Sequence, residues 1–166
     1  MLPRVAITLA FIFTGGAALA AKPEPAGTFN AWSVWTYKDG GKKNCYIYSA
    51  ATTKSPARLN HGDVSFFVRT VNSSQAKTEA NFTVGYDFAP GSTVRAEIGS
   101  ATFDMMVQGD NAWLMEAEKE KDLLAAMRGG DEMSIHARSR RGNPTSYVFP
   151  LDGVTAAVRQ MQKECP

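Results

Sequence analysis

The residue types best suited to catalysis occur together once, in the segment His61-Gly62-Asp63-Val64-Ser65. An imidazole, a carboxylate and a hydroxyl could form the triad of a hydrolase. In a β-strand, however, alternate side chains lie about 7 Å apart along one face, which is beyond hydrogen-bond reach. Because triads are assembled from separate elements, the spacing favours a polar turn that leads into a strand. We expect replacement of His61 by Ala to preserve fold and function.

The remaining histidine, His136, alternates with Ser134 and Arg138 in a predicted strand and is expected to face solvent. With 2 His and 2 Cys in the chain, the sequence offers too few ligands for a zinc or iron–sulfur site. It contains no Gly-rich phosphate loop, and no spacing singles out a pair of carboxylates for glycoside cleavage. The sequence therefore predicts no catalytic residue, no metal, no cofactor and no enzyme activity.

Two features could instead bind a partner. Arg138, Arg140 and Arg141 lie beside a predicted hairpin turn, where their guanidinium groups could bind a carboxylate, a phosphate or an anionic lipid head group. Basic residues also commonly protect strand ends from pairing, which is the structural alternative. Trp113 is a second candidate contact, although it could equally anchor a hydrophobic core.

Composition limits the class of protein. The chain has 166 residues, a formal net charge of +2, 44% hydrophobic and 20% charged residues. These values are typical of one globular domain and not of a disordered or coiled-coil chain. A nearly neutral chain is also a poor match for a polyphosphate backbone, so we expect no binding to nucleic acid.

The first 20 residues have the pattern of a secretory signal peptide. Arg4 precedes an apolar run at residues 5–13, and Ala18-Leu19-Ala20 provides a cleavage site. An uncleaved membrane anchor is the alternative, but it would need about 20 continuous apolar residues. We predict a signal peptide at residues 1–20, a flexible lead-in at 21–28 and a single domain at 29–166, with no transmembrane segment after cleavage.

Export also determines how the two cysteines are interpreted. Exported chains fold where thiols are oxidised, so Cys45 and Cys165 are predicted to form a structural disulfide. A redox-active thiol and an intermolecular bridge are the alternatives. Neither cysteine lies in a Cys-x-x-Cys motif or a basic context that would activate it.

Most of the remaining chain alternates with a period of two residues, which is typical of β-strands. Residues 29–37 carry aromatic side chains on both faces, as in a strand that is covered on both sides. In contrast, residues 80–88 are apolar on one face and polar on the other. Turn residues separate these segments, so the sequence predicts a mainly β fold, either an antiparallel β sandwich or a flattened barrel.

Two helices are predicted within this framework. Residues 116–129 form a short inserted helix that ends at Gly129, with its charged residues on a solvated face. Asp152 is expected to cap a C-terminal helix. Its apolar stripe is formed by Val154, Ala157, Val158 and Met161.

Several short motifs together resemble the invasion-associated locus B family. They are F-x-A-W-S-V-W at residues 29–35, K-x-C-Y-I at 43–47, V-G-Y-D-F at 84–88, N-A-W at 111–113, A-M-R-G-G at 126–130, S-R-R-G at 139–142 and P-L-D-G-V-T-A-A at 150–157. The resemblance spans nearly all of the predicted domain. It implies an exported envelope protein of Gram-negative bacteria, and it brings no catalytic residues with it.

The function expected from these observations is that of a non-enzymatic binding or accessory protein of the periplasm. Its partner would be an envelope protein or glycan, contacted through Trp113 and the arginines near residues 138–141. The protein could also associate with the outer membrane or leave the cell. Two alternatives remain open at this point: an envelope hydrolase with an unrecognised site, and a purely structural or stress-related envelope protein.

Overall fold

The computed structural model describes residues 22–166, so the predicted signal peptide at residues 1–20 lies outside the described residues. A single turn of 3-10 helix at Ala117–Lys119 precedes the first of two α-helices. The elements in chain order are β1 (Glu24–Phe29), β2 (Trp32–Asp39), β3 (Lys42–Ala50), β4 (Thr53–Ser55), β5 (Ser65–Thr70), β6 (Thr78–Thr83), β7 (Thr93–Ile98), β8 (Ala101–Gln108), β9 (Asn111–Leu114), α1 (Glu120–Gly129), β10 (Glu132–Arg138), β11 (Pro144–Pro150) and α2 (Val154–Glu164).

All strands of the described part belong to one antiparallel sheet of 11 strands, in the order β1-β2-β3-β5-β6-β9-β8-β7-β10-β11-β4. The sheet is not closed. It must nevertheless bend strongly. Strand β4 lies at one edge and β3 lies near the other, yet only Ala51 and Thr52 connect them in the chain. Thr52 donates its amide hydrogen to the carbonyl of Val148 in β11. The predicted mainly β, antiparallel fold with one inserted and one C-terminal helix is confirmed.

The apolar faces of the strands meet in one core inside the bend. Fully buried rings of Trp32, Phe66, Phe82 and Phe149 lie edge to face at its centre, with centroid distances of 6.0 to 6.5 Å. The indole of Trp32 donates to the carbonyl of Pro150 at 2.9 Å. This contact joins the start of β2 to the end of β11, so the core residues also connect the two ends of the strand order.

Helix α2 covers the inner face of β1, β2 and β3. Val154, Ala157, Val158 and Met161 are all buried, as the stripe predicts. Cys165, just after the helix, forms the predicted disulfide with Cys45 of β3, and their Cα atoms are 6.0 Å apart. Because the bond joins residues 120 positions apart, it holds the C-terminal helix against an early strand.

The boundaries of three elements differ from the sequence predictions. Residues 21–28 were expected to form a flexible lead-in, but residues 24–28 belong to β1, whose backbone pairs with β2. Pro25 is tolerated because β1 is an edge strand. Asp152 does not cap α2: its carboxylate accepts a hydrogen bond from the Asn30 amide. Gly153, with φ at 92°, occupies the N-cap position. At the end of α1, Gly130 and not Gly129 is the C-cap residue.

The prediction that β2 is covered on both faces is wrong. Trp32 and Val34 are buried, but Trp35 and Tyr37 are only half-buried. They lie on the outer surface of the sheet beside Tyr46, Tyr48 and Phe67, whose neighbouring ring centroids are 5.1 to 6.1 Å apart. These rings pack against one another across neighbouring strands and so shield one another from water. Aromatic residues can therefore occupy the outer face of β2 without a second layer of structure covering it.

Among residues 22–166, no helix combines the length and apolar character needed to span a membrane.

Candidate functional site

A cavity of about 490 Å³ lies beside the turn between β10 and β11, and we call it the arginine cleft. It brings together three parts of the chain that are distant in sequence: the loop before β5, the segment after β6 and the β10–β11 turn. Its lining residues are Leu59, Asn60, His61, Tyr86, Asp87, Ser139, Arg140, Arg141, Asn143 and Thr145.

The β10–β11 turn places two arginines at the rim. The Ser139 carbonyl accepts the amide hydrogen of Gly142 at 2.8 Å, and the Asn143 carbonyl accepts that of Ser139 at 3.0 Å. Gly142 has φ at 82°, a conformation that favours glycine and lets the chain turn back. Arg140 donates its own amide hydrogen to the carbonyl of Asp87 at 2.8 Å, which fixes the turn against the segment after β6.

The three predicted arginines have different roles. Arg140 forms an ion pair with the Asp87 carboxylate at 3.3 Å. Arg138 donates to the carbonyl of Gly142 at 2.9 Å and does not line the cleft. Arg141 takes part in none of the ion pairs found among residues 22–166. Arg140, Arg141 and Asp87 therefore give the lining a net charge of +1 while His61 is neutral.

The floor of the cleft is a chain of hydrogen-bonded side chains. His61 is 5% exposed and Tyr147 is fully buried. The hydroxyl of Tyr147 lies 2.9 Å from Nδ1 of His61 and 2.6 Å from the hydroxyl of Tyr86. Tyr86 in turn lies 2.7 Å from Oγ1 of Thr145. At the other end, Nε2 of His61 lies 3.0 Å from the carbonyl oxygen of Pro56.

The number of hydrogens on each group determines which group donates in each of these hydrogen bonds. A carbonyl can only accept, so Nε2 of His61 carries a hydrogen and donates to Pro56. In neutral His61, Nδ1 then accepts from Tyr147. Each hydroxyl has a single hydrogen, so Tyr86 donates to Tyr147 and Thr145 donates to Tyr86. With His61 neutral, every donation therefore runs from Thr145 towards Pro56.

Burial raises the pKa of Tyr147 far above its ordinary value. The buried environment disfavours a phenolate, and the neighbouring hydroxyl of Tyr86 adds to this effect. Tyr147 therefore keeps its hydrogen at any physiological pH. It acts as a neutral link of the chain and not as a base or a nucleophile.

Two glycines bring His61 and Tyr86 together. Gly85 donates its amide hydrogen to the carbonyl of His61 at 2.9 Å. The backbones approach so closely at this point that a Cβ on Gly85 would lie 2.6 Å from the Cα of Gly62. Because only glycine leaves room for this contact, the pairs His61-Gly62 and Gly85-Tyr86 are the sequence signal for the cleft floor.

The interpretation of His61 as part of a polar turn is wrong, since its imidazole is buried and bonded at both nitrogens. Of the other residues in the segment 61–65, Ser65 has its hydroxyl 3.4 Å from that of Tyr48. An Ala at position 61 would remove both hydrogen bonds of the imidazole and leave a cavity beside the buried Tyr147. We therefore expect H61A to lower stability, contrary to the expectation from sequence.

His136 is exposed, as predicted, and lies 3.7 Å from the carboxylate of Glu97. Within residues 22–166, no three His, Cys, Asp or Glu side chains come close enough together to hold a metal ion. Trp113 lies on β9 between Asn81 of β6 and Met106 of β8. It is half-buried and lines a separate depression with Arg69, so it is not part of the arginine cleft.

The family model described as "Invasion associated locus B (IalB) protein" matches residues 32–162. A comparison with curated protein sequences finds no match.

Among solved structures, the fold is similar to that of invasion associated protein B from Bartonella henselae. The two chains are 19% identical, the match covers 86% of this chain and 96% of the Bartonella chain, and the TM-score is 0.62. This similarity extends across the sheet and confirms the fold. The family match covers most of the domain, and the chain belongs to the invasion associated locus B (IalB) family.

Proposed function

We propose that this chain is an exported, non-enzymatic binding or accessory protein of the Gram-negative envelope, and that the arginine cleft binds an anionic group of its ligand. The observation that carries the proposal is the difference in ion pairing between the two arginines at the rim. Arg140 is oriented by Asp87, whereas Arg141 has no ion-pair partner within residues 22–166. A guanidinium in a concave site favours a planar carboxylate or a phosphate.

The floor of the cleft supports binding over catalysis. Its side chains form hydrogen bonds with one another, and Ser139 uses its hydroxyl as the acceptor of the Asn143 amide hydrogen. His61, the base best placed to activate a hydroxyl, has Tyr147 and Pro56 as partners. The hydroxyl bonded to His61 is the fully buried one of Tyr147, and this supports a binding role for the cleft.

Location is part of the same proposal. The signal-peptide pattern at residues 1–20, the disulfide and the family membership support export to the periplasm. The ligand would then be an envelope component, either protein or glycan, that presents a carboxylate or a phosphate. Association with the outer membrane and release from the cell are compatible with the same chemistry.

The test is an NMR titration of the mature protein with sodium sulfate and, separately, with sodium glucuronate. We expect saturable shifts of backbone amides confined to Tyr86, Asp87 and the β10–β11 turn. R141A should weaken binding about tenfold, as expected for the loss of a charge-assisted hydrogen bond. R128A removes the same charge from the exposed end of α1 and is the matched control.

Four results would contradict the proposal. Shifts spread over the whole surface would indicate non-specific ion effects, and equal losses in R141A and R128A would indicate a dependence on net charge alone. Hydrolysis of envelope polysaccharide by the wild-type protein, abolished by one polar substitution, would favour the hydrolase alternative. Absence of any saturable binding would favour a purely structural protein.

A further inference from the structure

We propose that the arginine cleft binds its anion together with a proton on His61. The side chains of Thr145, Tyr86, Tyr147 and His61 would accommodate this proton by reversing the direction of their hydrogen bonds. The inference rests on the proposed function, because it concerns the regulation of the same cleft. It predicts that anion affinity increases as pH falls.

The reversal leaves no hydrogen bond unmade. When His61 gains a proton, Nδ1 becomes a donor to the Tyr147 hydroxyl at 2.9 Å. Tyr147 then donates to Tyr86, and Tyr86 donates to Thr145. Oγ1 of Thr145 has a further acceptor, the carbonyl oxygen of Ala137 at 3.3 Å. The donations now run from His61 to Ala137, while the bond from Nε2 to Pro56 is unchanged.

This second acceptor is the key observation. A buried imidazolium is costly when its hydrogens lack acceptors, because an unmade buried hydrogen bond carries the full desolvation penalty. Here both directions of the chain satisfy every hydroxyl, so only hydrogens move and no heavy atom needs to. The cleft floor can therefore hold His61 in either protonation state within one structure.

Protonation changes the charge that an anion meets. The charged lining residues are Asp87, Arg140 and Arg141, and they give +1 while His61 is neutral. Protonated His61 brings the lining to +2. Because the site is concave and has a low-dielectric floor, the added charge attracts an anion more strongly than it would in water.

Other charged groups lie near His61. Lys54 of β4 donates to the carbonyl of Gly62 at 2.6 Å, and Arg58 and Asp63 lie on the same segment of the chain as His61. Tyr147 and Tyr86 contact the imidazole as neutral groups. Among the residue types represented here, histidine is the one whose side chain can change charge between pH 5 and 8. His61 is therefore the group to which a pH dependence of the cleft is assigned.

The test compares sulfate affinity of the mature protein at about pH 5.5 and about pH 8 by isothermal titration calorimetry. Sulfate keeps its double charge across this range, so the probe contributes no pH dependence. We expect binding at least about fivefold tighter at the lower pH, the lower end of ordinary coupling between two sites. Linkage then requires that sulfate increase the protonated fraction of His61 at a fixed pH, which the 15N shifts of the imidazole report.

Tyr147→Phe is the decisive variant, because Tyr147 is fully buried within the cleft floor and is not among the residues that an anion in the cleft would contact. Without its hydroxyl, protonated Nδ1 has no acceptor, so the ratio of sulfate affinities at the two pH values should fall towards one. H136Q and E120Q remove titrating groups elsewhere in the fold and should retain the wild-type ratio. If Y147F does not fold, the 15N response of wild-type His61 to sulfate decides the question.

The outcomes separate the two proposals. Sulfate binding that is equally tight at both pH values would overturn this inference and leave the proposed function standing. A pH dependence that disappears in H136Q would also overturn it. No sulfate binding at either pH would overturn both proposals.

Discussion

The backbone amide of Ala80 donates to both carboxylate oxygens of Glu120, at 2.9 and 3.0 Å. Strand β9 pairs with β6 only at residues 81–83, so it does not cover Ala80. Glu120, in the first turn of α1, supplies the missing acceptor and is 5% exposed. The expectation that the charged residues of this helix form a solvated face is therefore wrong at Glu120.

The buried carboxyl of Glu120 predicts a pH-dependent stability. Burial raises its pKa from 4.5 to about 7, against the opposing effect of the Ala80 hydrogen bond. Between these values the folded protein holds a proton that the unfolded chain has lost, so stability falls as pH rises from about 4.5 to about 7 and is constant above. The free energy of unfolding of E120Q, relative to that of the wild type, should therefore rise by about 2 to 3 kcal/mol between about pH 4.5 and about pH 7.

Urea unfolding at several pH values measures this effect. E118Q is the matched control, because Glu118 lies in the preceding turn and is exposed. Its stability should follow the wild-type curve. If E120Q and wild type have the same dependence on pH, Glu120 is not the group that titrates.

The disulfide predicts a large effect of reduction. Cys45 and Cys165 close a loop with a sequence separation of 120, for which chain entropy alone gives up to about 5 kcal/mol. We expect the C45A/C165S variant to lose about 3 to 5 kcal/mol in urea unfolding. A reductant should destabilise the wild-type protein to the same level and leave the double variant unchanged. Equal stability of oxidised and reduced wild type would contradict the prediction.

The glycine contact under the cleft predicts a local defect. A Cβ on Gly85 would also lie 2.9 Å from the carbonyl oxygen of His61, so G85A must push the two segments apart. We expect a loss of about 2 to 3 kcal/mol together with altered imidazole shifts of His61. G129A is the control, because a Cβ at this position of α1 meets nothing within 4 Å. It should be neutral or slightly stabilising. Wild-type shifts in G85A would be inconsistent with this account.

The ion pair on the cleft rim predicts a variant with higher affinity. Asp87→Asn removes the carboxylate that competes for Arg140 while keeping its carbonyl bond to the Arg140 amide. Sulfate should then bind up to about fivefold more tightly, the upper range for an exposed pair. D104N frees Arg95 of β7 from a comparable ion pair and serves as control. An equal gain in both variants would indicate a general effect of charge.

Much of the fold could be predicted because its cause is local. The alternation within β6 and the stripe of α2 follow from side-chain periodicity, and Ala80 and Phe82 are buried as expected. The strand predicted over residues 80–88 is too long, because β6 ends at Thr83. The pairing of Cys45 with Cys165 was predictable because only one intramolecular pairing exists. The strand at Glu24–Phe29 was missed because its stability comes from hydrogen bonds to β2 and not from its own composition.

Less of the candidate site than of the fold could be predicted from the sequence. The sequence identified Arg140 and Arg141 because a charged cluster at a turn is visible in the chain itself. It gave Arg138 and Trp113 the same weight, although neither lines the cleft. It passed over Tyr86 and Thr145, because these two residues are 59 positions apart in the chain and Gly85 reveals its role only through its contact with Gly62.

By itself, the amino-acid sequence determined which residues alternate, where the chain turns, which cysteines pair and where positive charge concentrates. These properties depend on near neighbours or on residue counts. Only the tertiary structure decided that His61 is buried and that its two nitrogens bond Tyr147 and Pro56. Burial and hydrogen-bond partners come from segments that meet when the sheet bends, and a linear pattern contains no information about the direction of that bend.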